Sequence, residues 1–193
     1  FYAVSTRFII FFMKEKPTIL VTNDDGYRAK GFHKLINLMC RIGKVVAVST
    51  ERPMSAQSHS ITMAEPLRYK LVQQGDGMEL YVSNGRPADC VKMGYQLIMD
   101  GLPDVVVSGI NHGSNASVNV IYSGTMAAVI EACMDNIPAI GFSLNNYSSD
   151  AYFDHLDNFI IDITKKTLEK AFPKACASTS IFLNTMKTKP LRA

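Results

Sequence analysis

Thr18-Ile19-Leu20-Val21-Thr22-Asn23-Asp24-Asp25-Gly26 is the stretch whose reading decides the fold. Five β-favouring residues run without a polar interruption and stop at a turn-forming Asn-Asp-Asp-Gly. A strand with one solvated face alternates polar and apolar residues, whereas a continuous run suits a strand covered on both faces, as in a parallel sheet. Downstream, Phe32, Leu35, Ile36, Met39 and Ile42 recur at helical spacing. Gly43 supplies a C-terminal stop, and Val45-Val46-Ala47-Val48 follows as a second strand. The first unit is therefore β-α-β.

The pattern continues outward from that unit. Residues 50–60 are rich in Ser, Pro and Gln and read as a loop. Residues 61–72 and 79–82 read as strands joined across Gly75-Asp76-Gly77, an antiparallel hairpin or an edge excursion. Pro87 opens a helix carrying Cys90, Val91, Met93, Leu97 and Ile98. Asp104-Val105-Val106-Val107 is another buried strand, followed by a polar, glycine-containing segment over 108–125, a helix over 126–135 and a strand over 139–144. Phe153, Leu156, Phe159, Ile160, Ile163 and Leu168 give residues 151–171 a helical period, and Ser180-Ile181-Phe182-Leu183-Asn184 closes with a strand. This alternation predicts a doubly wound, Rossmann-like, three-layer α/β/α fold with a mostly parallel sheet and right-handed crossovers.

The 193 residues, 47% hydrophobic and 19% charged, suffice for one packed domain. A net charge of +3 without a long basic run gives no groove for duplex nucleic acid, while a small anionic substrate remains compatible. Cys40, Cys90, Cys133 and Cys176 stand far apart, with neither zinc-ligand spacing nor a disulfide framework, as expected of reduced thiols in a cytoplasmic protein. The apolar run over 8–13 is far shorter than the roughly 20 residues that cross a bilayer, so no membrane span is expected. Met13-Lys14-Glu15-Lys16 reads as a natural start. Residues 1–12 are then expected to be a non-native or disordered extension, 13–186 the α/β domain and 187–193 a disordered tail.

In open parallel sheets, ligands bind beyond the carboxyl ends of the strands. Three loops meet that test: residues 23–26, 50–60 and 109–125. Adjacent Asp24 and Asp25 repel each other when ionised, and a hard divalent cation such as magnesium or manganese offsets the repulsion. An isolated Asp-Asp-Gly, however, reads more often as a turn with an N-cap. Ser55, Ser58, His59 and Ser60 can offer hydroxyl ligands or hydrogen bonds to phosphate, though loop serines are more often solvated. Ser108-Gly109-Ile110-Asn111-His112-Gly113 adds amide and imidazole groups, and Tyr122-Ser123-Gly124-Thr125 leads into a helix whose N-terminus suits either an anion or ordinary capping. His33 and His155 fall on helices, where surface positions are expected. No G-x-x-x-x-G-K-[ST] or G-x-G-x-x-G is present, which leaves metal-assisted hydrolysis.

Taken in order, Ile19-Leu20-Val21-Thr22-Asn23-Asp24-Asp25-Gly26, residues 55–62 with Pro66-Leu67, Gly85 with Pro87-Ala88-Asp89-Cys90, Val107-Ser108-Gly109-Ile110-Asn111-His112-Gly113, and Tyr122-Ser123-Gly124-Thr125-Met126-Ala127-Ala128 resemble the SurE family, the stationary-phase survival proteins that act as 5'/3'-nucleotidases. The resemblance covers about 17–184. It implies a divalent-metal-dependent phosphatase that splits nucleoside monophosphates into nucleoside and phosphate; the alternative is a non-catalytic metal- or nucleotide-binding remnant. By position it implies that Asp24, Asp25, Ser55 and Asn111 bind one magnesium or manganese ion per subunit. Asp24 and Asp25 would be catalytic, with Asp24 the candidate nucleophile or general base. Ser123, Gly124 and Thr125 would lie near the phosphate, and Asn23, His59, Ser108 and Gly109 would line the pocket. Two departures stand out: Ala56 follows Ser55 where the family commonly has Gly, and Arg86 replaces a usual Thr. Family members also continue past Leu183-Asn184 into an exchanged arm that builds a homodimer or homotetramer, so this chain reads as truncated and is not expected to build that oligomer.

Overall fold

The computed structural model describes residues 16–75, 77–148, 151–169 and 178–183. The element order is β1 (Thr18–Thr22), α1 (Lys30–Cys40), β2 (Lys44–Thr50), β3 (Tyr69–Gly75), β4 (Met78–Ser83), α2 (Pro87–Met93), β5 (Val105–His112), α3 (Asn119–Tyr122), α4 (Gly124–Met134), β6 (Ala139–Leu144), α5 (Asp157–Glu169) and β7 (Ser178–Leu183). A π-helical turn, Gly94–Ile98, prolongs α2. The expected extension, tail, Met13 and Asn184 lie outside the described residues. No helix among the described residues is long and apolar enough to cross a membrane.

The strands form one sheet in the order β3-β4-β2-β1-β5-β6-β7, parallel throughout except for β3 against β4. β1 pairs with β2 on one side and β5 on the other, so the chain reverses its direction of winding there. That reversal is the topological switch point, where the loops after β1 and β5 part and open a crevice. The continuous apolar run of β1 has the expected cause. Ile19 and Val21 pack with Phe32, Leu35 and Met39 of α1 and Ile160 of α5, while Leu20 packs on the other face with Cys90 and Val91 of α2 and Val129 of α4. The fold is the three-layer α/β/α sandwich that the alternation predicts.

Three local expectations need correction. The strand expected over 61–72 forms only from Tyr69. Pro66 has no N–H to give to a ladder, and Thr62 N–H instead donates to the Asp89 carboxylate at 2.9 Å, so the segment before Tyr69 is irregular. Gly43 is not a left-handed helix stop: α1 ends through Arg41 at φ −75°, and a Cβ on Gly43 would lie 2.1 Å from the Pro17 carbonyl oxygen. Glycine is needed there because the chain entering β1 passes directly over it. Finally, β5 continues to His112 instead of giving way to a loop after Val107.

Candidate active site

The turn after β1 is built by its own side chains. Asn23, 1% exposed, donates from Nδ2 to the Gly26 carbonyl at 2.9 Å and accepts the Ser49 hydroxyl at 2.5 Å, tying the turn to the end of β2. The β2 loop folds back over it: Tyr27 N–H donates to Thr50 O at 3.1 Å, and Met54 N–H to Asp24 O at 2.7 Å. Next to it, the pairing of β5 with β6 slips by one residue between Ser108 and Asn111. Gly109, at φ +125°, occupies the slip, and a Cβ there would sit 2.3 Å from the Phe142 carbonyl oxygen. Such a bulge re-aims the side chains beyond it. Asn111 and His112, although consecutive, both border one cleft of about 380 Å³ with Asp24, Asp25, Ser55 and Ser123.

The two carboxylates are held against their preference. Burial and the neighbouring Asp25 charge raise the Asp24 pKa to about 6, with the Thr125 hydrogen bonds opposing the shift. Burial also raises Asp25, offset in part by the His112 backbone N–H, while Asp25 Oδ2 is buried without a hydrogen-bond partner among the described residues. A positive charge in the cleft would relieve both strains. The other donors suit it: Asn111 commits Nδ2 to Gly113 O at 3.0 Å, which leaves its carbonyl oxygen for a ligand, and Ser55 brings an exposed hydroxyl. Two carboxylates with neutral oxygens match a hard divalent cation such as magnesium or manganese.

The start of α4 serves Asp24. Thr125 Oγ–H donates to Asp24 Oδ1 at 2.6 Å and the Thr125 backbone N–H donates to the same carboxylate, while Ser123 caps the helix by accepting Met126 N–H at 3.1 Å. The positive end of the helix dipole is thus directed at a side chain of the protein. Gly124 lets the helix come this close, because a Cβ there would lie 2.6 Å from Asp24 Cβ.

Of the residues expected at the site, Asp24, Asp25, Ser55, Asn111 and Ser123 border the cleft together, and Asn23, His59, Ser108, Gly109, Gly124 and Thr125 do not. Asn23, Gly109, Gly124 and Thr125 support it from behind as described. Ser108 is fully buried in β5 with no hydrogen-bond partner for its hydroxyl among the described residues, and His59 turns to Glu131 on α4. Sequence reasoning placed Asn115, Asn119 and Tyr122 within the candidate loop over 109–125 without giving them a role, and missed Tyr147, which follows β6. The rule that sites lie beyond strand carboxyl ends would have nominated the β6 loop had it been applied there as well. His33 and His155 are exposed, as expected. A second cleft, about 520 Å³, opens at the amino ends of β1 and β2 beside Met78 and Leu102, away from the carboxyl ends.

Ala56, next to Ser55, has φ +58°. A Cβ in this left-handed region costs about 1–2 kcal/mol, against less than about 1 kcal/mol of extra unfolded-state entropy for glycine. Ala56→Gly is expected to stabilise the chain by about 1 kcal/mol, a rise of about 2–4 °C in a thermal melt. No rise would mean that the loop relaxes around alanine without strain.

Fold and cleft together define a class: a doubly wound α/β protein with an acidic, oxygen-rich crevice at its switch point. Residues 19–186 match the family described as Survival protein SurE. The chain belongs to the SurE family. It is 39% identical over 178 residues to the 5'-nucleotidase SurE of Bacteroides fragilis, covering 92% of this chain and 70% of that protein. It is 48% identical over 160 residues to the 5'-nucleotidase SurE of Flavobacterium johnsoniae, covering 82% and 62%. The crystal structure of the SurE protein from Aquifex aeolicus superposes with a TM-score of 0.76 at 34% identity, over 86% of this chain and 66% of that one. The chain thus spans roughly two thirds of the length of these relatives.

Proposed function

We propose that this chain carries the site of a divalent-metal-dependent phosphomonoesterase acting on nucleoside monophosphates. The observation that carries the reading is the convergence of Asp24, Asp25, Ser55 and Asn111, from three separate strand-end segments, on one cleft where a buried Asp25 oxygen has no partner among the described residues. Relatives 39–48% identical bear the name 5'-nucleotidase, which supports the substrate class.

In this reading Asp24, Asp25, Ser55 and Asn111 hold one magnesium or manganese ion. A divalent ion so held neutralises phosphoryl charge and lowers the pKa of nearby water. The protein's own part is orientation. Thr125 fixes Asp24 through Oδ1, so Asp24 is presented to the cleft in one pose as nucleophile or general base. Tyr122 and Tyr147, 58% and 75% exposed at the cleft border, offer ring faces on which a base can stack.

Phosphate release from a panel of nucleoside monophosphates is expected to appear with added magnesium or manganese and to stop on chelation. Binding of metal or nucleotide without release from any of them would make the chain a binding module instead.

A further inference from the structure

Outside the cleft lies a buried charge to which the proposed reaction gives no part. Glu131 is the one charged residue of α4 and is 2% exposed. Its Oε1 lies 2.6 Å from Lys92 Nζ on α2, and its Oε2 lies 2.6 Å from His59 Nε2. A carboxylate this deep requires partners, and hydrogen bonds to a charged group are the strong kind. His59 stands four residues after Ser55 in the β2 loop.

We propose that Glu131 is a positioning residue that, through His59, fixes the β2 loop so that Ser55 meets Asp24 and Asp25, and thereby sets the affinity of the site for its cation. The proposal rests on the metal-site reading above. Its geometric basis is that α4 holds both sides of the site. Thr125, in the first turn, grips Asp24, and Glu131, six residues on, grips the loop that carries Ser55. A helix is stiff along its axis, with a fixed rise of about 1.5 Å per residue. The two grips are therefore a constant distance apart. The main chain of the loop is held on either side of Ser55, by Met54 N–H on Asp24 O at 2.7 Å and by Ser58 N–H on Tyr122 O at 3.1 Å, and His59 on Glu131 adds a side-chain tie just beyond the positive-φ residues Ala56 and Ser58.

The test is manganese binding by calorimetry to the full chain and to His59→Ala and His59→Gln, with phosphate release followed against manganese concentration. His59 is only part buried, and in its absence Glu131 keeps Lys92, so these variants retain the fold; Glu131→Ala would leave a void at a buried position of α4 and is a poorer probe. Removing an outer-shell support typically costs at least tenfold in metal affinity. His59→Ala is expected to bind manganese about tenfold more weakly and to recover its turnover at high manganese, and His59→Gln, which can still donate to Glu131, to lie between the two. A merely structural role would give neither that recovery nor the graded order. Unchanged manganese affinity in His59→Ala would overturn the positioning role alone. Absence of manganese binding by the unaltered chain would overturn the metal-site reading itself.

Discussion

Asp24→Asn is expected to lose metal-dependent phosphate release by a factor on the order of 10³ while keeping its fold and gaining stability in the metal-free state. The loss follows from taking away both a cation ligand and the group best placed to attack or to take a proton, a role worth about 10²–10⁴ in rate. The gain follows from linkage. The folded state holds the Asp24 proton to about pH 6 against an ordinary value of 3.8. The stabilisation is then fully present below pH 3.8 and is lost as pH rises through about 6, where the buried carboxylate ionises beside Asp25. A shift of that size corresponds to on the order of 3 kcal/mol. Asparagine does not ionise and still offers an oxygen to Thr125, so its urea melts should lack this slope between pH 4 and pH 7. Full activity in the variant would remove Asp24 from the chemistry. A slope equal to that of the unaltered chain would remove it as the source of the pH dependence.

Gly124→Ala is expected to lower both stability and turnover. The new Cβ would fall 2.6 Å from Asp24 Cβ and 2.8 Å from its Oδ2, so either the helix start withdraws or the carboxylate turns away. Overpacking of this kind costs about 1–3 kcal/mol, and a displacement of about 1 Å at the reacting groups costs on the order of 10² in rate. A melting point several degrees lower together with a roughly 100-fold fall in turnover is the expected pair of results. Near-normal turnover would show that Asp24 need not lie against α4.

Much of the fold could be read from pattern. β1 and β6 start and stop at their expected residues because an apolar run in a covered strand has no competing interpretation and each ends at a turn or cap. The misjudged segments are those where long-range contacts outweigh local preference. Residues 61–68 look β-prone, yet Asp89 takes Thr62 N–H away from any ladder, a tie between residues 27 apart in sequence. β5 runs on through the glycine at 109 because β6 lies alongside to pair with Asn111 and His112. The same division holds in the candidate cleft. The acidic turn and its placement at a strand end are visible locally, whereas nothing local tells that Thr125 faces Asp24, 101 residues away, or that His59 faces a glutamate on α4.

The position of β1, third from either flank of the inner strands and wedged between β2 and β5, has an implication for assembly. The proposed ligands arrive from residues 24–25, 55 and 111, so no contiguous fragment shorter than most of the sheet contains them all. An ion that binds there engages only molecules in which the two windings have already docked. Ligand occupancy would then favour the fully assembled chain over partly assembled ones by RT ln(1 + [L]/Kd), about 2.7 kcal/mol at a hundredfold excess over Kd. With the proposed ion bound, the cleft would double as a checkpoint on the joining of the two halves of the sheet.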